Sequence, residues 1–100
     1  MEITVNEQPD KVMITVVGDI EMMTIKELKT KLMDAGNSTD KDIELDLSGV
    51  DYIDSSGVGV LISLVKLQKK KGKEINISAI SDKVLNVLKL SSLADIFNLE

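Results

Sequence analysis

Asp46-Leu47-Ser48-Gly49-Val50-Asp51-Tyr52-Ile53-Asp54-Ser55-Ser56-Gly57-Val58-Gly59-Val60 is the stretch on which the reading of this chain turns. Just before and into it, Ile43, Leu45 and Leu47 alternate with Glu44 and Asp46, the pattern of a strand buried on one face. Beyond it, apolar residues at helical spacing run from about Ser56 to Lys71 and are closed by Gly72. A strand ends, the chain turns, and a helix begins at two serines. Asp54, Ser55 or Ser56 can each cap that helix by accepting a free backbone N–H. The same terminus carries partial positive charge and unpaired donors, which can accommodate a phosphate of about −1.5 to −2 charges placed on a serine. Gly57 and Gly59 have no side chains, so a second protein could approach the backbone closely there.

Outward from this segment the pattern is regular. Ile3 to Gln8 and Lys11 to Val17 read as strands joined by a Pro9-Asp10 turn, an opening hairpin. Thr24-Ile25-Lys26-Glu27 has the spacing of a capping box; Ile25, Leu28, Leu32 and Ala35 follow at helical spacing, with Gly36 at the stop position. Glu74 to Ile80 reads as a strand with Ile75, Ile77 and Ala79 on one face. Ser81 and Asp82 can cap a helix that buries Val84, Leu85 and Leu88. A short helix near Ser92 to Asp95 and an edge strand at Phe97 to Leu99 complete the expectation. Alternating strands argue against a sheet covered on both faces. The expected architecture is a single two-layer α/β domain over residues 1–100: a mixed sheet of four to five strands, helices mainly on one face, and parallel crossovers between 43 and 80.

Composition narrows the function. The chain has 100 residues, 43% of them hydrophobic, with only Tyr52 and Phe97 aromatic, so the core is aliphatic. Cysteine and histidine are absent, which removes thiolate, His-base and Ser-His-Asp chemistry and the usual zinc ligands. Paired acids such as Asp51 and Asp54 lack a nucleophile–base partner, and no P-loop occurs, so neither an enzyme, a cofactor nor a metal is expected. The net charge of −5 disfavours nucleic acid. The cluster Lys69-Lys70-Lys71 with Lys73 fits cations at a helix C-terminus. No signal-peptide pattern precedes the first strand and the run Val58 to Val65 is too short to span a bilayer, so a cytoplasmic protein without membrane insertion is expected. Met22-Met23, at a loop–helix junction, reads either as core filler or as an adaptable binding edge. On the second helix, Val58, Leu61, Ile62 and Val65 form one apolar stripe and Val60, Leu64 and Leu67 another.

The run Tyr52-Ile53-Asp54-Ser55-Ser56-Gly57-Val58-Gly59-Val60-Leu61 resembles the signature of anti-sigma factor antagonists, members of the STAS domain family. Val17-Gly18-Asp19-Ile20-Glu21, Asp46-Leu47-Ser48-Gly49-Val50 and Ala79-Ile80-Ser81 extend the resemblance over nearly the whole chain. It implies that Ser55 is phosphorylated by a partner kinase that is itself the anti-sigma factor. The unphosphorylated form would bind that factor and free the sigma factor, and a phosphatase would reactivate the phosphorylated form. The expected partner surface comprises Asp19, Glu21, Met22, Met23, Asp54, Ser56, Gly57 and Val58, and the resemblance implies that Asp54 orients the Ser55 hydroxyl or caps the helix. Met22-Met23 departs from the polar residues that relatives often carry there. Two other readings belong beside this one: a receiver-type domain phosphorylated on aspartate, and a STAS docking module in a transporter-associated or stress-signalling complex.

Overall fold

The computed structural model describes residues 1–97. Its elements are β1 (Glu2–Glu7), β2 (Lys11–Val17), α1 (Ile25–Asn37), β3 (Asp42–Gly49), α2 (Ser55–Lys70), β4 (Ile75–Ile80) and α3 (Asp82–Leu90). The four strands lie in the order β1-β2-β3-β4, the first pair antiparallel and the other two parallel. The hairpin turns over Pro9-Asp10, where the Gln8 N–H donates to the Lys11 carbonyl at 2.8 Å.

Register explains the two layers. Val5, Ile14, Leu45 and Ile77 form one row across the sheet; Val12, Ile43 and Ile75 lie in the next row of the same face. Apart from Val5 on the edge strand, these side chains are buried. The opposite face carries Lys11, Met13, Glu44 and Asn76, with a Lys11–Glu44 ion pair at 3.3 Å. One fully apolar face must be covered, and α1 and α2 cover it with Leu28, Leu32, Val60, Leu61, Leu64 and Val65. Both stripes of α2 are thus used in the core, with Val58, Ile62 and Leu67 partly buried against it.

The structure corrects several expectations. The β3–β4 register shifts between Leu45 and Asp46, so Ala79 pairs with Asp46 and Ile80 with Leu47. The extra residue flips the alternation, and Ile80 rather than Ala79 joins the core. Gly36 does not stop α1, which continues to Asn37. It is buried against α2, where a Cβ would lie 2.7 Å from Leu67 Cδ2. The Thr24–Glu27 capping box does not form. Thr24 is already helical in backbone, and its hydroxyl donates to the Asp19 carbonyl at 2.7 Å while accepting from the Glu21 N–H. The turn starts earlier, with the Ile25 N–H on the Glu21 carbonyl and the Met23 N–H on Glu21 Oε1 at 3.0 Å. Ser92–Asp95 is not a helix. Ser92 has φ +60°, and the Leu93 N–H donates to the Leu88 carbonyl at 2.8 Å, a closure that ends α3 and leaves a single turn after it. Phe97 sits in that turn, buried in the core; the rest of the edge strand expected at 97–99 lies outside the described residues. Gly72 does end α2 as expected. With φ +70° it lets the Lys73 N–H reach the Gln68 carbonyl at 2.9 Å.

Candidate functional site

The parallel pairing of β2 with β3 continues beyond both strands. Ile20 and Ile53 form an isolated bridge: the Ile20 N–H donates to the Tyr52 carbonyl at 2.8 Å and the Asp54 N–H to the Ile20 carbonyl at 3.0 Å. Both isoleucine side chains are buried. This pairing joins the loop before α1 to the loop before α2. It brings Asp19, Glu21, Met22 and Met23 beside Asp54, Ser55 and Ser56. The two isoleucines were absent from the expected site. No local pattern marks the pair: Ile20 lies between two acids, Asp19 and Glu21, but Ile53 lies between Tyr52 and Asp54.

Of the three candidate caps, Asp54 is the one used. Its Oδ1 accepts from the Ser56 N–H at 2.9 Å, the Gly57 N–H at 3.1 Å and the Ser56 hydroxyl at 2.5 Å. The Ser56 hydroxyl, the Gly57 N–H and further backbone donors, Met22 included, hold the Asp54 carboxyl below the usual carboxylate range. Asp54 therefore caps the helix but orients Ser56, not Ser55. Ser55 is the first residue of α2, exposed, with a hydroxyl that has no partner among the described residues. The donors expected to receive a phosphate are largely taken: Ser56 and Gly57 N–H by the Asp54 side chain, Val58 N–H by the Asp54 carbonyl at 3.1 Å.

Gly57 is also reassigned. It is buried, and a Cβ there would stand 2.4 Å from Ile20 Cγ2 and 2.7 Å from Ile53 Cγ1. It seats α2 on the isoleucine pair instead of admitting a second protein. Gly59 is exposed with open space around it. Met22 and Met23 are 80% and 87% exposed, so they are not core filler. Tyr52 is also exposed, on the other joined loop. Val58 is half-buried, Asp19 exposed and Glu21 half-buried. At the far end of the molecule Lys71 donates to the Gly36 and Thr39 carbonyls, capping the end of α1. Among the described residues no group of three or more acidic, Cys or His side chains is placed to hold a metal, and no helix is long and apolar enough to cross a membrane.

A family model described as Mlab, STAS domain matches residues 3–99. The chain belongs to the STAS domain family. The anti-sigma-B factor antagonist of Bacillus subtilis strain 168 is 23% identical over 99 residues, covering 99% of this chain and 90% of that protein. The anti-sigma factor antagonist SpoIIAA in its unphosphorylated form superposes with a TM-score of 0.81 at 18% identity, over 94% of this chain and 84% of that one. The Bacillus cell fate determinant SpoIIAA in the phosphorylated form gives 0.73 at 17% identity, over 94% and 86%. The mixed four-stranded sheet with its helices is the STAS fold. The opening hairpin that distinguishes this STAS domain from a receiver-type βα order is present as β1–β2.

Proposed function

We propose that this STAS domain is an anti-sigma factor antagonist. Unphosphorylated, it binds an anti-sigma factor that has serine-kinase activity; phosphorylation on Ser55 ends that binding, and a phosphatase restores it. The observation that carries this reading is the Ser55 hydroxyl: exposed, at the start of α2, without a partner among the described residues, and near the exposed Met22 and Met23. The curated relative named an anti-sigma-B factor antagonist supports the role, and the description of SpoIIAA in two phosphorylation states supports the switch.

The electrostatics give the direction. Most first-turn donors of α2 are already occupied by Asp54, so a phosphate on Ser55 is poorly neutralised within the domain. It adds about −1.5 to −2 charges to a turn that already holds the Asp54 carboxylate, and presents them to whatever docks on the methionines. A loss of about 1.4 kcal/mol is a tenfold loss of affinity. The test is a pull-down from the native cells with wild type and Ser55→Asp, followed by calorimetry on the recovered partner. The expected result is an ATP-binding anti-sigma factor that wild type retains and Ser55→Asp binds at least about tenfold more weakly. Equal affinity would overturn the switch, and recovery of membrane-transport components instead would favour the docking-module reading.

A further inference from the structure

We propose that Asp54 selects between the two adjacent serines: by holding the Ser56 hydroxyl in a closed turn, it leaves Ser55 as the sole phosphoryl acceptor. This rests on the reading of Ser55 given above and names the residue that confers its specificity.

The two serines are neighbours in sequence, both exposed, both in the first turn of α2. A kinase that reads only the turn has little to choose between them. Their hydroxyls nevertheless differ. Ser56 is bound twice to one atom, its N–H at 2.9 Å and its Oγ at 2.5 Å from Asp54 Oδ1, which fixes its side-chain rotamer. Ser55 Oγ has no partner among the described residues and can rotate to meet an incoming group.

The transfer itself makes the difference count. A serine oxygen attacks the γ-phosphorus of a nucleoside triphosphate held by the partner kinase. The Oγ–P bond forms, the bond from that phosphorus to the β–γ bridging oxygen breaks, and the nucleoside diphosphate leaves. The hydroxyl proton passes to a base on the kinase. Ser55 can present both its lone pair and its proton. Ser56 cannot, because its proton points into Asp54 and out of reach of an external base. Asp54 is a poor substitute base, since it already accepts from several donors that hold its carboxyl below the usual range. Its negative charge beside Ser56 Oγ also repels the γ-phosphate.

The same device recurs nearby. Ser48 is exposed, and its N–H and Oγ both donate to Asp46 Oδ1, at 3.0 and 2.6 Å. The Ser81 hydroxyl donates to the Val50 carbonyl at 2.6 Å. Of Ser48, Ser55, Ser56 and Ser81, Ser55 alone has a hydroxyl without a partner among the described residues.

The experiment places Asp54→Asn, Asp54→Ala and Asp54→Ser in the full chain in its native cells and maps phosphate by mass spectrometry with fragment ions that separate residues 55 and 56. Wild type and Asp54→Asn, which keeps an acceptor oxygen in place, are expected to carry phosphate on Ser55 only. In Asp54→Ala and Asp54→Ser the phosphate is expected to divide, with Ser56 rising from background to a share of the same order as Ser55. Asp54→Ser retains a capping hydroxyl, so it decides the matter if circular dichroism shows Asp54→Ala unfolded. Phosphate confined to Ser55 in both variants overturns the selection and leaves the Ser55 reading standing. Wild type with no phosphate on Ser55 removes that reading and the selection together.

Discussion

At the scale of single residues, Asp54 and Gly57 set the geometry of the site, and each makes a distinct prediction. Asp54 has its carboxyl held low in the folded chain by the Ser56 hydroxyl first and the Gly57 N–H next. A folded value below the unfolded one stabilises the fold at neutral pH, and that contribution disappears as the pH falls through the folded value. Asp46, held low by the Ser48 hydroxyl, adds in the same direction and in the same window. Thermal melts below about pH 4 should therefore show wild type losing stability with a steeper acid limb than Asp54→Asn. Parallel limbs would mean that Asp54 gains no such stabilisation. Gly57→Ala places a methyl group into Ile20 and Ile53, both buried with little room to move. Overpacking of that kind costs about 1–3 kcal/mol. Urea melts should show it, with weaker partner binding as α2 lifts from its seat. Gly36→Ala is the informative contrast. Its nearest contacts are the ends of the flexible Leu67 and Leu64 side chains, and removing a helical glycine returns about 1 kcal/mol. Its net effect should stay within about 1 kcal/mol of zero.

At the scale of elements, the ends of helices rather than their middles resisted reading. The apolar spacing of α1 and α2 placed both helices correctly, because burial of one face decides a helix of that length. The start of α1 was placed correctly, with Thr24 as N-cap and Ile25 first, but its capping was not: the Thr24 hydroxyl turns back to the Asp19 carbonyl and the Glu21 N–H and caps no helix donor. Gln68 is a different case, a polar residue buried near the end of α2 and outside both apolar stripes. It is fully buried, and its Nε2 donates to the Lys41 carbonyl at 3.2 Å and the Glu74 carbonyl at 3.3 Å, joining the entries to β3 and β4. Gln68→Ala removes these bonds and leaves a cavity, so denaturant unfolding should show a loss of about 2–4 kcal/mol. A loss below about 0.5 kcal/mol would mean the junction holds without it.

At the scale of the whole molecule, the core and the proposed docking residues are separated in space. The core lies between one sheet face and the helices, while Met22, Met23, Tyr52 and the Ser55 hydroxyl project from the joined loops at the ends of β2 and β3. The double variant Met22→Asp, Met23→Asp should keep its unfolding free energy within about 0.5 kcal/mol of wild type, since neither side chain is in the core. It should nevertheless lose partner affinity by more than about tenfold in calorimetry. Unchanged affinity would place the docking surface elsewhere. The sequence by itself determined the element order, the parallel crossovers, the buried sheet face and the Asp54–Gly57 turn, because alternation, helical spacing and turn residues are local properties of the chain. Only the tertiary structure decided that Met22-Met23 is exposed, that Gly57 packs inward, and that Asp54 engages Ser56 and leaves Ser55 free. The first two depend on Ile20 pairing with Ile53 across 33 residues of chain, a contact that no local pattern encodes, and the third is a choice of hydrogen-bond partner within one turn that residue types alone leave open.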